Sequence, residues 1–285
     1  MHDLFHLLAE PLQYGFMLRG MAAAVLVGIV CAAIGTFVVL RGMTFLGDAL
    51  SHAILPGVAV AALLGGGRIA FFLWALGTAL AASFGIGFVQ RRARIKEDAA
   101  IGIVFAGLFA LGVAILSAMR NTTTDLTHIL FGNVLAVGNS DLVLILACAA
   151  GVLLVLALFY KELVLVTFDE TFAVTLRLPA AFYSYLLLAL VAVTTVVSLQ
   201  TVGVTLVLAL LVAPASTGLL LARRLPAIMA VAAVCGAFSG AAGLYLSYYL
   251  GIASGAAIVL VSIALFILAL VFSPRGGRRF FVKTS

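Results

Sequence analysis

Long stretches without a single charged residue constrain this chain more than any other feature of its sequence. They cover residues 20–40, 69–90, 99–119, 142–160, 178–222 and 225–274. A helix needs about 20 apolar residues to cross a bilayer, and the last two stretches are each long enough to cross twice. With 65% hydrophobic and 9% charged residues, the composition excludes a soluble globular domain. The sequence therefore predicts an all-α, polytopic membrane protein with about 8–9 transmembrane helices.

The segment 42–67 is the uncertain crossing, because it is long enough to span a bilayer but contains Asp48, His52 and Pro56. Counting it gives nine crossings and puts 13 of the 16 Lys and Arg residues on one side. Cytoplasmic loops are enriched in such residues, so we expect the N-terminus outside and the C-terminus in the cytoplasm. If the segment were re-entrant, the count would be eight and this sorting would break.

The whole chain, residues 1–285, is predicted to be one membrane domain, since the longest polar connections are only residues 120–141 outside and 161–177 inside. Residues 1–15 lack the basic start and the cleavage site of a signal peptide, and we expect a retained amphipathic segment. The glycine-rich run 236–243 has small residues at close spacing, which favours tight helix packing within the bundle over a subunit interface.

Several function classes are excluded by missing motifs. The sequence has no GxxxxGK[ST], no GxSxG and no HExxH, so it predicts neither a nucleotide-hydrolysing site nor a known hydrolase centre. Its net charge of +6 comes from residues at the ends of apolar segments rather than from an aromatic-rich basic patch, and no nucleic-acid partner is expected. The chain is therefore predicted not to be an enzyme, which leaves transport as the expected activity.

Asp48 and His52 are the candidate metal ligands. On a helix, residues four apart share one face, so a carboxylate oxygen and an imidazole nitrogen would point the same way. Such ligands suit Mn²⁺, Zn²⁺ or Fe²⁺, and an ionisable side chain inside a membrane segment usually serves a function. The alternative is a hydrogen-bonded Asp–His pair that holds a kink before Pro56.

The segment 168–178 is predicted to form a short cytosolic helix. Asp169 can cap it, Glu170 lies favourably in its first turn, and Pro179 begins the next crossing. With the apolar residues Phe172, Ala173, Val174 and Leu176 partly exposed, it could dock into a groove of a soluble partner. The alternative is an interfacial loop.

Several sequence blocks resemble the permease family of bacterial ABC importers for manganese, zinc and iron. They are GDALSHAILPGVA, EDAAIGIVFAGLFALGVAILS, HILFGNVL, FDETFAVTLRLP and LQTVGVTLVLALLVAPAST, in this order along residues 41–222. The resemblance implies a fold like that of the type II importers. It places the metal site at Asp48 and His52, and it implies an ATPase-coupling helix that includes Asp169, Glu170, Thr171, Phe172, Ala173 and Leu176.

The resemblance also implies partners and a location. We expect separate ATP-binding cassette ATPase subunits, a second permease half that is either the same chain or a paralogue, and an extracytoplasmic metal-binding protein. The expected location is the bacterial cell (inner) membrane, in contact with lipid. No permanently bound cofactor is expected, only the transported divalent ion, with Mn²⁺ favoured over Zn²⁺ and Fe²⁺. The alternative function is a standalone gradient-driven carrier. Such a carrier would need acidic residues in several spans to relay protons or sodium ions.

Overall fold

The computed structural model describes residues 10–118, 134 and 137–273, and in these residues the chain forms helices and no strand. After a 3-10 helix at Pro11–Gln13, the helices are α1 (Gly15–Leu40), α2 (Leu46–Ala53), α3 (Leu55–Leu63), α4 (Arg68–Ala93), α5 (Glu97–Ala118), α6 (Asn139–Leu158), α7 (Tyr160–Phe168), α8 (Glu170–Thr175), α9 (Ala180–Val202), α10 (Val204–Leu221), α11 (Leu225–Leu250) and α12 (Ser254–Phe272). The all-α prediction is confirmed.

Eight helical segments in the described residues are long and apolar enough to cross a membrane, and α10 adds a shorter apolar helix. This agrees with the predicted 8–9 crossings. The uncertain segment is one of the eight, Leu46–Leu63, made of α2 and α3 with a break at Ile54. The two longest apolar stretches divide at Gly203 and Gly251, whose φ angles of 88° and 63° glycine adopts without steric cost.

The inside connection 161–177 differs from the expected loop. Residues Tyr160–Phe168 form α7, which follows α6 after an irregular Phe159. Leu163 and Val166 are buried because their three-residue spacing puts them on one helix face against the rest of the protein. Residues 1–9 of the expected N-terminal amphipathic segment lie outside the described residues, and so does the block HILFGNVL except Val134.

Helix α1 runs through the middle of the bundle because its small residues let other backbones come close. A Cβ added to Gly28 would meet the backbone of Gly236 in α11, and one added to Gly35 would meet the backbone of Leu211 in α10. Gly240 likewise lies against the backbone of Ala24. The run 236–243 therefore packs within the chain, as the sequence predicts.

The same kind of contact fixes α2 and α3. Gly57 of α3 lies against the backbone of Trp74 in α4, and Gly112 of α5 lies close to Leu55. On α2, Leu46 and Leu50 are fully buried. The broken crossing is thus held between α4 and α5, and this contact with α5 forms the surroundings of Asp48 and His52.

Candidate functional site

Asp48 and His52 lie on one face of α2, as predicted. The Asp48 Oδ1 and His52 Nε2 atoms are 3.8 Å apart, and the two side chains are 41% and 36% exposed. The opposite face of this eight-residue helix is buried through Leu46 and Leu50. An amphipathic helix in an otherwise apolar bundle thus presents its two ionisable groups to open space.

The structure does not support the hydrogen-bonded kink. A separation of 3.8 Å is longer than a hydrogen bond, and the helix breaks at Ile54, with Pro56 in the first turn of α3. Two ligand atoms each about 2.1 Å from one ion would be about 3.0–3.4 Å apart at octahedral or tetrahedral angles. A small side-chain adjustment would therefore let both atoms bind the same ion.

Two phenylalanines of α5 lie against the ring of His52. The His52 ring lies 6.1 Å from the ring of Phe105 and 6.0 Å, edge-on, from that of Phe109, measured between centroids. Such contacts restrict the orientations of the imidazole. They leave the nitrogen that faces Asp48 as the atom best placed to bind an ion.

A cavity of about 250 Å³ is lined by Asp48 and by a second carboxylate, that of Asp98. Phe45, Ala49, Ile101, Gly102 and Phe105 complete its lining. Because one water takes up about 30 Å³ in the liquid, the cavity can hold a cation with part of its hydration shell. Asp98 was not singled out in the sequence, although its place in the first turn of α5, beside Glu97, puts a carboxylate at the end of a membrane helix.

The described residues contain no group of three or more His, Cys, Asp and Glu side chains that could hold a metal ion. Within that part of the chain the pair Asp48 and His52 is therefore an incomplete ligand set. An ion bound there would keep water ligands or take ligands from another subunit on the open side of the pair.

The short helix predicted in 168–178 is present as α8. The Asp169 carboxylate accepts a hydrogen bond from the Phe172 amide at 2.8 Å, which is the predicted cap. At the other end Arg177 has φ 59°, and the amides of Arg177 and Leu178 donate to the carbonyls of Val174 and Ala173, a Schellman motif. The alternative of an interfacial loop is therefore wrong.

The surface of α8 corrects one expectation. Phe172, Val174 and Leu176 are 50–59% exposed, whereas Ala173 is fully buried. Ala173 packs against Val166 and Ala180, because it lies on the face of α8 that meets α7 and α9. Ala173 thus anchors the helix, and the apolar side chains left for a partner are its exposed neighbours.

Comparison with known proteins finds relatives over nearly the whole chain. Residues 13–273 match the ABC 3 transport family. The chain is 46% identical over 277 residues to the manganese transport system membrane protein MntC of Halalkalibacterium halodurans, covering 97% of this chain and 94% of that protein. It is 37% identical to the chelated iron transport system membrane protein YfeD of Yersinia pestis, covering 96% and 91% of the two chains.

Among solved structures, PsaBC from Streptococcus pneumoniae in complex with Fab aligns with a TM-score of 0.84 at 35% identity, covering 99% of this chain and 100% of that one. An inward-facing ABC transporter of the metal-chelate type aligns with a TM-score of 0.70 over 90% of this chain and 85% of the other. At 17% identity, the second likeness concerns the fold alone.

Proposed function

This chain belongs to the ABC 3 transport family, and from that premise we propose that it is the permease subunit of a bacterial ABC importer for divalent transition-metal ions. The observation that carries the proposal is the Asp48–His52 pair. A carboxylate and an imidazole 3.8 Å apart face open space from a broken membrane helix and adjoin a cavity with a further carboxylate. Ionisable groups are costly to place in a membrane, so those that occur there usually serve a function.

We favour Mn²⁺ as the cargo because the site offers only two protein ligands, with Zn²⁺ and Fe²⁺ as the other candidates. A carboxylate and an imidazole without sulfur suit all three ions, although Zn²⁺ would bind such a pair more tightly than Mn²⁺. Conduction needs an ion to leave as well as to enter, so two protein ligands suit an ion that is held briefly and was selected elsewhere. Relatives named for manganese transport support Mn²⁺ as the first choice.

The ion's route on this chain passes from the metal pair into the adjoining cavity. Asp98 is exposed at the end of α5 that follows the basic segment 91–96, which we assign to the cytoplasm. Asp48 and Asp98 each lie in the first turn of a helix that begins on this side, so we place the cavity near the cytoplasmic end of the bundle, where the Asp98 carboxylate attracts the cation. No permanently bound cofactor is needed in this scheme.

Transport by this scheme requires partners, because the sequence carries no phosphate-binding loop. We assign ATP hydrolysis to separate ATPase subunits that dock on α8, and metal delivery to an extracytoplasmic binding protein. A second permease half, either a copy of this chain or a paralogue, covers the open side of the metal pair. The assembly lies in the bacterial cell (inner) membrane.

Metal accumulation in cells that lack and then regain this permease tests the function. Restored Mn²⁺ accumulation that disappears when the ATPase gene is deleted is the expected result. Accumulation that persists without the ATPase would favour a gradient-driven carrier. Restoration of Zn²⁺ alone, with Mn²⁺ and Fe²⁺ unchanged, would overturn the ranking of the ions.

Docking of the ATPase on α8 is tested by Phe172→Asp, which puts a charge in the centre of the exposed apolar surface. We expect the ATPase to be lost from the purified complex or to hydrolyse ATP without metal uptake. Crosslinks from α8 should reach the ATPase. If they never do, whereas crosslinks from the loop 91–96 do, then α8 is not the docking helix.

A further inference from the structure

Charged side chains from four different helices lie near one another beside α8, and of these only Glu170 belongs to the segment assigned above to ATPase coupling. Arg41 follows the end of α1, Arg91 lies in the last turn of α4, Glu97 begins α5 and Glu170 begins α8. We call these four residues the charged junction. Of these helices, α4 and α5 also pack against α2, so the geometry of the junction bears on how α8 communicates with the metal pair.

The shortest contact in the junction joins α8 to α4. The Arg91 Nη2 atom lies 2.8 Å from the Glu170 Oε1 atom, and the Arg91 guanidinium lies 5.7 Å from the centroid of the Tyr185 ring in α9. The two charged side chains are 35% and 50% exposed, so the pair adds little to stability. Its geometry nevertheless fixes the first residue of α8 to the end of a membrane helix.

Arg41 provides the connection to α1. Both of its terminal nitrogens lie 3.4 Å from the Ser184 hydroxyl oxygen in α9. Burial lowers the pKa of the Arg41 guanidinium, and the carboxylates of Glu97 and Glu170 raise it. The two carboxylates therefore stabilise a partly buried charge at the start of the short turn that leads into α2.

Glu97 provides the connection to α5. Its Oε1 atom accepts a hydrogen bond of 2.8 Å from Gln90 Nε2 in α4, which ties the end of α4 to the first turn of α5. The next residue, Asp98, lines the cavity, and Phe105 and Phe109 of the same helix contact His52. A shift at the start of α5 thus reaches both the cavity and the histidine.

We propose that the charged junction transmits movement of α8 to α2 and α5, the two helices that form the metal pair and its cavity, and that the Arg91–Glu170 contact is the main link. The inference rests on the proposed docking of the ATPase on α8. With only six residues, α8 moves as one body, so a displacement of its exposed side also displaces Glu170. Arg91 and Glu170 act as positioning residues and do not touch the ion.

The test is a charge exchange in the complete importer, with permease, ATPase and external binding protein reconstituted in liposomes. Arg91→Glu and Glu170→Arg are each expected to lower Mn²⁺ uptake per ATP hydrolysed by about fivefold or more, while the ATPase stays bound. The double variant should recover at least half of the wild-type ratio, because it restores the pair in reversed order. Arg92→Glu is the matched control, since it makes the same charge change at an exposed neighbour and should leave the ratio unchanged.

Wild-type ratios in both single variants, or a double variant no better than the worse single one, would overturn the proposal. If a reversed charge prevents assembly, Glu170→Gln decides, because it removes the charge without changing the size of the side chain, and an unchanged ratio there also overturns it. Phe172→Asp, measured in the same liposomes, tests docking separately. A fully coupled Phe172→Asp importer would contradict docking on α8, whereas the charge exchange tests the link itself.

Discussion

At the scale of single residues, the pair Asp48 and His52 shows how ionisable groups can be accommodated in an apolar helix bundle. Asp48 lies in the first turn of the crossing Leu46–Leu63, where an ionisable side chain is less costly than at the centre of a transmembrane helix. Here the Asp48 carboxylate stays 41% exposed beside His52 and borders a cavity of about 250 Å³. Water in that cavity can solvate the Asp48 carboxylate, so its oxygens are available to bind a cation.

Replacing the metal ligands should stop transport without disturbing the fold. Asp48→Asn and His52→Gln keep the approximate shape of each side chain but remove an anionic or imidazole ligand, and each should lower Mn²⁺ uptake at least about tenfold. Ser51→Ala is the matched control on the same helix, since the Ser51 hydroxyl only donates to the Gly47 carbonyl. Uptake is measured in cells with equal amounts of permease in the membrane.

The pair Asp48→Ala with His52→Ala gives the strictest form of this test. Such a protein should still insert and assemble with its ATPase, because both side chains lie on the open face of α2. If the double variant transported like the wild type, the metal pair would be wrongly assigned.

The cap of α8 makes a separate prediction. Asp169→Ala removes the acceptor for the Phe172 amide and should destabilise the helix by about 1 kcal/mol, which weakens ATPase binding about fivefold. Asp169→Asn keeps an acceptor oxygen and should bind nearly normally. Affinity is measured by titrating purified ATPase onto the permease in nanodiscs, and equal weakening by both variants would contradict the cap as the cause.

At the scale of helices, α1 and α11 pack with their backbones in direct contact. Gly236→Val places side-chain atoms against the backbone of Gly28, and overpacking of this kind costs about 1–3 kcal/mol. The variant should unfold at a lower temperature in detergent. Gly151→Ala is the control, because a Cβ at that helical position meets no atom within 4 Å. Equal unfolding temperatures for the two variants would show that the close contact between Gly28 and Gly236 does not limit the stability of the protein.

Much of the arrangement of the helices can be predicted from the sequence. The structure differs from the prediction where the packing of helices against one another determines which side chains are exposed or share a cavity. The apolar stretches predicted the crossings, and the spacing of Asp48 and His52 predicted their shared face. Ala173 was expected to be partly exposed, but whether such a small apolar residue faces outward depends on the helices beside α8. Asp98 was missed because the shared cavity depends on how α2 packs against α5, and neither sequence segment contains that information alone.

At the scale of the whole molecule, orientation follows from the number of crossings. The described helices give nine crossings if α2 and α3 count as one crossing and the shorter α10 counts as another. An odd number puts the termini on opposite sides of the membrane. Only this count keeps 13 of the 16 basic residues on one side and leaves Arg19, Arg68 and Arg120 on the other.

Reporter fusions test that orientation at both ends of the chain. The positive-inside rule places the basic-rich side in the cytoplasm, so a fluorescent reporter after Ser285 should fold there, and a tag before Met1 should be accessible from outside. A fusion within Arg91–Lys96 serves as an internal reference, because its four basic residues belong on the same side as the C-terminus. Termini on the same side would mean an even number of crossings. In that case either α10 or the broken pair α2 and α3 enters and leaves the membrane on one face, and the fusion within Arg91–Lys96 would show on which side the start of α5 lies.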